Sequence, residues 1–92
     1  MRFAKVRAAA FRIDALRLDR RQPSIRLSTR SGAHRGFLVL GGVRGQARVR
    51  AHSGGTELDL RAGDFLLVPA AAEEVEIRPL ADDFTGLLVR EN

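Results

Sequence analysis

Apolar and polar residues alternate with a period of two over several short stretches of this chain. Ile25 and Leu27 alternate with Ser24, Arg26 and Ser28, the mark of a strand with one buried face. Ala47, Val49 and Ala51 alternate with Gln46, Arg48 and Arg50. Beyond Ser53-Gly54-Gly55, Thr56, Leu58 and Leu60 alternate with Glu57, Asp59 and Arg61. These two stretches predict a hairpin, and one register satisfies both of its faces. In that register Arg50 faces Glu57 and Arg48 faces Asp59, while Val49 meets Leu58 and Ala47 meets Leu60. Burial and charge then select the same pairing.

Two apolar runs lack alternation. Phe37 to Leu40 and Phe65 to Val68 predict strands buried on both faces. Gly41-Gly42-Val43-Arg44-Gly45 predicts a turn, its glycines supplying positive φ. Ala62-Gly63-Asp64 predicts another, with Asp64 capping backbone amides. Pro69 ends the second run. Val75 and Ile77 alternate with Glu74, Glu76 and Arg78 in a further strand, Pro79 to Asp83 form a loop, and Thr85 to Val89 close the chain. Residues 4–18 fit either a helix or two short extended pieces. The apolar phase changes between Phe11-Arg12-Ile13 and Leu16-Arg17-Leu18, which suggests a bulge. Seven to nine short strands with regular turns predict an all-β sandwich or barrel.

At 92 residues the chain makes one domain, 1–92, with its strand core at about 24–78. No apolar run approaches the ~18 residues of a membrane helix, and the N-terminus has no apolar core of a secretory signal. There is no cysteine, which excludes disulfides and thiolate metal sites and fits a cytoplasmic protein. The net charge of +5 divides unevenly: residues 1–50 carry 13 Lys and Arg against two Asp, and residues 51–92 carry three Arg against nine acids. In a sandwich the halves interleave, so opposite charges can meet across strands. The basic half could track phosphates, but the chain has no Trp or Tyr to stack bases and no recognition helix, which argues against nucleic acid.

Val39-Leu40-Gly41-Gly42 resembles the first motif of cupins, and Gly63-Asp64, four apolar residues and Pro69 resemble the start of the second. More narrowly, FRIDALRL, FLVLGGVRG, the Gly54-Gly55 tip and GDFLLVPAAAEEVEI make the chain similar to the C-terminal cupin domain of type I mannose-6-phosphate isomerases. The resemblance implies a cupin-like double-stranded β-helix, a jelly-roll barrel. It implies a metal-free, non-catalytic domain without a cofactor, with an assembly or sugar-binding part in carbohydrate metabolism. The family's zinc belongs to an N-terminal catalytic domain. The partners implied are that domain or a second copy, since cupins pair through sheet edges.

Metal-binding cupins place two His, a Glu and a third His around these motifs. Counted from Val39-Leu40 and from Pro69, those positions are Ser28, Arg30, Arg35 and Glu74, which do not make a ligand set. Arg26, Arg30 and Arg35, with His34, are instead the candidate ligand-binding residues. An arginine inside a cupin mouth would clamp a small anion such as a sugar phosphate. The competing reading places Ile25 and Leu27 in the core and these arginines on the solvated face. His34 or His52 could act with Asp64 as an acid–base pair, but His52 lies at a hairpin tip and Asp64 in a capping turn. The alternative function is a stand-alone small-ligand sensor or a homodimeric scaffold.

Overall fold

The computed structural model describes residues 11–31, 34–52, 54–80 and 83–91, with the backbone alone at residues 11, 31, 34, 35 and 91. Its strands are β1 (Phe11–Leu18), β2 (Ile25–Ser28), β3 (Arg30–Ser31), β4 (His34–Arg35), β5 (Leu38–Arg44), β6 (Gln46–Ala51), β7 (Glu57–Arg61), β8 (Phe65–Val68), β9 (Glu74–Pro79) and β10 (Phe84–Glu91), with one 3-10 turn at Ala70–Ala72. Two four-stranded antiparallel sheets face each other, in the orders β1-β10-β5-β8 and β2-β9-β6-β7. Strands β3 and β4 form a separate two-stranded ribbon. The chain crosses repeatedly from one sheet to the other, which is the jelly-roll course that the sequence predicts.

The core lies between the sheets. Leu16, Leu18, Leu38, Leu40, Val68, Phe84 and Leu88 enter from one side, and Leu27, Ala47, Val49, Leu60, Val75 and Ile77 from the other. Each buried Val, Leu, Ile or Phe stabilises the fold by roughly 1.5–3 kcal/mol relative to exposure. The hairpin β6–β7 has the expected register: Arg50 opposite Glu57, Val49 opposite Leu58, Arg48 opposite Asp59 and Ala47 opposite Leu60.

The two outer faces are unlike. On the β2-β9-β6-β7 sheet, Arg26, Glu76, Arg50 and Glu57 form one cross-strand row of alternating sign. Arg26 Nε lies 3.6 Å from Glu76 and Arg48 Nε 3.1 Å from Asp59. The basic first half and acidic second half thus meet here, strand by strand. On the β1-β10-β5-β8 sheet two outward rows are apolar, with Arg17 and Thr85 paired on the same side beyond them. One row is Ile13, Val89, Val39 and Leu67; the next is Ala15, Leu87, Gly41 and Phe65.

This second face corrects several expectations. Strand β1 pairs with β10 without a register shift, so the phase change in its sequence is not a bulge. Leu16 and Leu18 point inward, and Ile13 points to the apolar outer face. Phe65 and Leu67 are 75% and 61% exposed, so β8 is an edge strand buried on one face only. Strand β5 shows the same pattern, with Leu38 and Leu40 buried and Val39 half-buried. The glycines after it do not turn the chain. Strand β5 continues through Gly41 and Gly42 to Arg44, and Gly45 alone of these takes positive φ, at 80°. The local bulge falls in β5 instead, where Thr85 pairs with Arg44 and Gly86 with Gly42, leaving Val43 over.

Position 42 takes glycine because a neighbour comes too close for a side chain. A Cβ there would lie 2.1 Å from the carbonyl oxygen of Arg61. Its N–H donates to the Asp64 carbonyl and its own carbonyl accepts from Gly63 N–H, each at 2.9 Å. The turn between β7 and β8 is thereby fastened to β5. Asp64 completes it, its Oδ2 accepting the Arg61 N–H at 3.1 Å, which is the capping part read from the sequence. Replacing Gly42 with Ala is expected to lower stability by about 1–3 kcal/mol, as overpacking does. Urea unfolding of Gly42→Ala beside the wild type measures the cost of this contact.

Candidate functional site

The turn at residues 62–64 holds β7 and β8 together at one end, and no hydrogen-bonded ladder joins them beyond it. They belong to different sheets and part toward the start of β7 and the end of β8. A cleft of about 250 Å³ opens there, lined by Val49, Ala51, Thr56, Leu58, Leu66, Leu67, Val68, Pro69, Ala72 and Val75. Every lining side chain but that of Thr56 is hydrocarbon. Leu58 sits on the core side of β7 by its register with Val49, yet is 52% exposed, because the cleft lies above it.

The far wall is built by the 3-10 turn Ala70–Ala72 after Pro69. Thr29, the one buried polar residue among those described, holds it in place. Its single hydroxyl proton is shared between the Ala70 carbonyl at 3.0 Å and the Glu73 carbonyl at 3.2 Å, and its N–H donates to the Glu73 carbonyl at 2.8 Å. Glu73 has φ of 64°, the left-handed region that non-glycine residues enter at a cost of order 1–3 kcal/mol. The Thr29 bonds hold that conformation at the lip of the cleft.

The sequence candidates lie elsewhere. Arg26 is exposed on the outside of its sheet, beside Glu74 and Glu76, because Ile25 and Leu27 take the inward positions of β2. A surface hollow of about 200 Å³ gathers Arg26, Arg50, His52, Glu74 and Glu76, with the two arginines facing carboxylates. Arg30 is exposed on β3, where its backbone pairs with Arg35, as that of Ser31 pairs with His34. The side chains of His34 and Arg35 lie outside the described residues.

Of the four positions aligned with metal ligands, the structure brings two together: Ser28 and Glu74 are cross-strand partners. Both point away from the core, and the inward positions of this segment are Leu27 and Thr29. Counting back from Val39-Leu40 therefore lands one residue off the inward parity, since the β3–β4 ribbon intervenes. No group of three or more His, Cys, Asp or Glu that could hold a metal gathers among the described residues. Glu74 and Glu76 sit on β9, an interior strand of its sheet, rather than on an edge.

At one end of the sandwich, Arg12, Asp14 and Arg90 share the inward parity of Leu16 and Leu88. Arg90 lies directly opposite Arg12 on β1 and Leu38 on β5. Its Nε is buried without a hydrogen-bond partner among the described residues, while Arg12 is joined to Asp14 at 3.0 Å. No sequence signal separates Arg90 from the surface arginines around it. The cleft was equally hidden, since Leu58, Leu66 and Val75 read as ordinary core positions.

No protein-family model and no curated protein matches this chain. Among solved structures, the chain is similar to a cupin-2 domain containing protein from Shewanella frigidimarina NCIMB 400, with a TM-score of 0.67. The match covers 95% of this chain and 76% of that one at 8% sequence identity. At that identity the likeness shows a shared fold, the cupin jelly roll. No helix among the described residues is long and apolar enough to cross a membrane.

Two substitutions test these contacts. Thr29→Val keeps the shape and deletes the hydroxyl; it is expected to cost about 1 kcal/mol, measured by urea unfolding. Arg90→Met removes a buried, unmatched donor and a like-charged cross-strand neighbour. Its stability is expected to be unchanged or up to about 1 kcal/mol higher.

Proposed function

We propose that this chain is a small-molecule-binding module of cupin fold that takes an apolar group into the cleft between β7 and β8. One observation carries this reading: the cleft lining is hydrocarbon apart from Thr56, and it leaves Leu58 half-exposed on an inner face. Ligand pockets are commonly concave, mostly apolar and supplied with few polar groups. A cleft of about 250 Å³ suits a ligand of a few carbon atoms or the apolar part of a larger one.

This departs from a sugar-phosphate site. A phosphate needs convergent cationic or backbone donors, and no lining side chain is charged. Arg26 and Arg30, which would have supplied the charge, face outward. The resemblance to the C-terminal domain of mannose-6-phosphate isomerases favours a supporting part in carbohydrate metabolism, with no isomerase activity of its own. The apolar outer face of the β1-β10-β5-β8 sheet favours a second reading within it, assembly.

The test is a titration followed by amide chemical shifts, with cyclohexanol as apolar probe and mannose 6-phosphate as the competing class. Cyclohexanol is expected to move the amides of Leu58, Leu66 and Val75, and Leu58→Asp to weaken that response at least tenfold. Mannose 6-phosphate moving those amides, with cyclohexanol inert, would overturn the proposal.

A further inference from the structure

We propose that Arg90 and Arg12 form a site for a small monocarboxylate, at the end of the sandwich where β1, β10 and β5 lie side by side. Arg12, Arg90, Leu38 and Val68 make one cross-strand row of their sheet. That row shares the inward parity of Leu16, Leu88 and Leu40. The site stands apart from the cleft, because buried Leu38 separates Arg90 from Val68 on the cleft wall. Residues directly opposite on neighbouring strands hold their Cβ atoms about 4.5–5.5 Å apart. Both guanidinium groups can therefore reach one anion.

The charges at this spot do not balance. Asp14 is the one acid beside the two arginines on the inward parity of β1 and β10, among the described residues. It is engaged with Arg12, whose Nε donates to Oδ1 at 3.3 Å and lies 3.0 Å from Oδ2. Arg90 Nε is buried with no hydrogen-bond partner among the described residues. Were Asp14 to turn to Arg90, Arg12 would lose its carboxylate, so one guanidinium stays unmatched either way. The other sheet supplies no replacement: Glu57, Asp59, Glu74 and Glu76 lie beside Arg50, Arg48 and Arg26 on its outer face. Native proteins leave few buried donors unpaired, and like charges directly opposite lower stability. Two such departures in one place are characteristic of a functional site.

The donors select the anion. A guanidinium offers Nε–H and one Nη–H as parallel donors that match the two oxygens of a carboxylate. In Arg90 it is Nε that lacks a partner, which is the atom this side-on approach uses. Two guanidinium groups and one carboxylate leave a single positive charge, and one monoanion neutralises it. A phosphate dianion would set its second charge against Asp14 with no cation left to offset it. Asp14 thus acts as the specificity residue, engaging Arg12 and turning dianions away. The Arg12 side chain is 62% exposed and Arg90 only partly buried, so the anion enters from solvent.

The experiment follows the Arg90 Nε–H resonance of the full 92-residue chain during titration with sodium acetate, with sodium phosphate, and with sodium chloride at matched ionic strength. Acetate is expected to move this resonance saturably, phosphate to bind at least tenfold more weakly, and chloride to leave it in place. Arg90→Lys keeps the charge and loses the fork. It is expected to weaken acetate at least tenfold, read from the amides of Arg12 and Leu38, while Arg50→Ala on the outer face leaves the affinity unchanged. Asp14→Asn is expected to reverse the preference, so that phosphate binds more tightly than acetate. Amide spectra that match the wild type away from β1, β5 and β10 keep a folding failure distinct from a lost site, and the wild-type titrations decide the matter if Arg90→Lys does not fold. An acetate response that fails to saturate, that chloride reproduces, or that survives Arg90→Lys undiminished would overturn the proposal. So would a wild type that prefers phosphate, and an unchanged preference in Asp14→Asn would remove the part given to Asp14.

Discussion

The absence of a side chain at Gly42 governs the corner on which this fold turns. The backbone at Arg61 comes close enough that a Cβ would sit 2.1 Å from its carbonyl, and two backbone hydrogen bonds fasten the following turn to β5. That contact is where the chain leaves one sheet and enters the other. It starts β8 in register beside β5, with Gly41 opposite Phe65. It also brings the facing edges β7 and β8 together at one end only. The cleft is the space left at the other end, where Thr56 and Leu58 stand apart from Val68 and Pro69. The platform of Phe65 over Gly41 has the same origin.

Around this corner the sandwich sorts its outer residues into two surfaces. One is a charged lattice in which arginines from the first half of the chain face acids from the second. Exposed ion pairs of this kind contribute about 0–1 kcal/mol each, so the lattice does little for stability. It keeps that face hydrated and fixes strand register, because a slip of one residue would carry Arg48 and Arg50 into the core. The other surface carries its apolar residues outward. With a period of two, such a strand has no hydrated side, and its orientation must come from the core and its neighbours.

That difference decides what the sequence could reveal. The β6–β7 hairpin was legible in full, because Arg48, Arg50, Glu57 and Asp59 marked one face while Ala47, Val49 and Leu60 marked the other. In β1, β5 and β8 apolar residues occupy both faces, so alternation is lost. A strand facing outward with Phe65 and Leu67 reads like one buried on both sides. Glycines are ambiguous for a related reason. Gly45 is needed for positive φ and Gly42 for close approach, and the letter is the same. The inward side of Leu27 was legible from its alternation with Arg26 and Ser28, whereas the count back from Val39-Leu40 falls on the outward positions because the β3–β4 ribbon intervenes. The cleft could not be read at all, since a half-empty apolar space is lined by the same residues as a full one.

The strand order has a consequence for how the molecule comes into being. Strand β10 is the last of the described strands, and it lies inside its sheet, between β1 and β5. Until that stretch is paired, β1 has no neighbour and the sheet is divided. Phe11 waits for Glu91, Leu18 for Phe84 and Ile25 for Ile77. Pairings of such sequence separation close slowly, because the entropy of the intervening loop is lost before the contacts form. Closure of this sheet therefore depends on contacts far apart in sequence, with β10 joining β1 to β5.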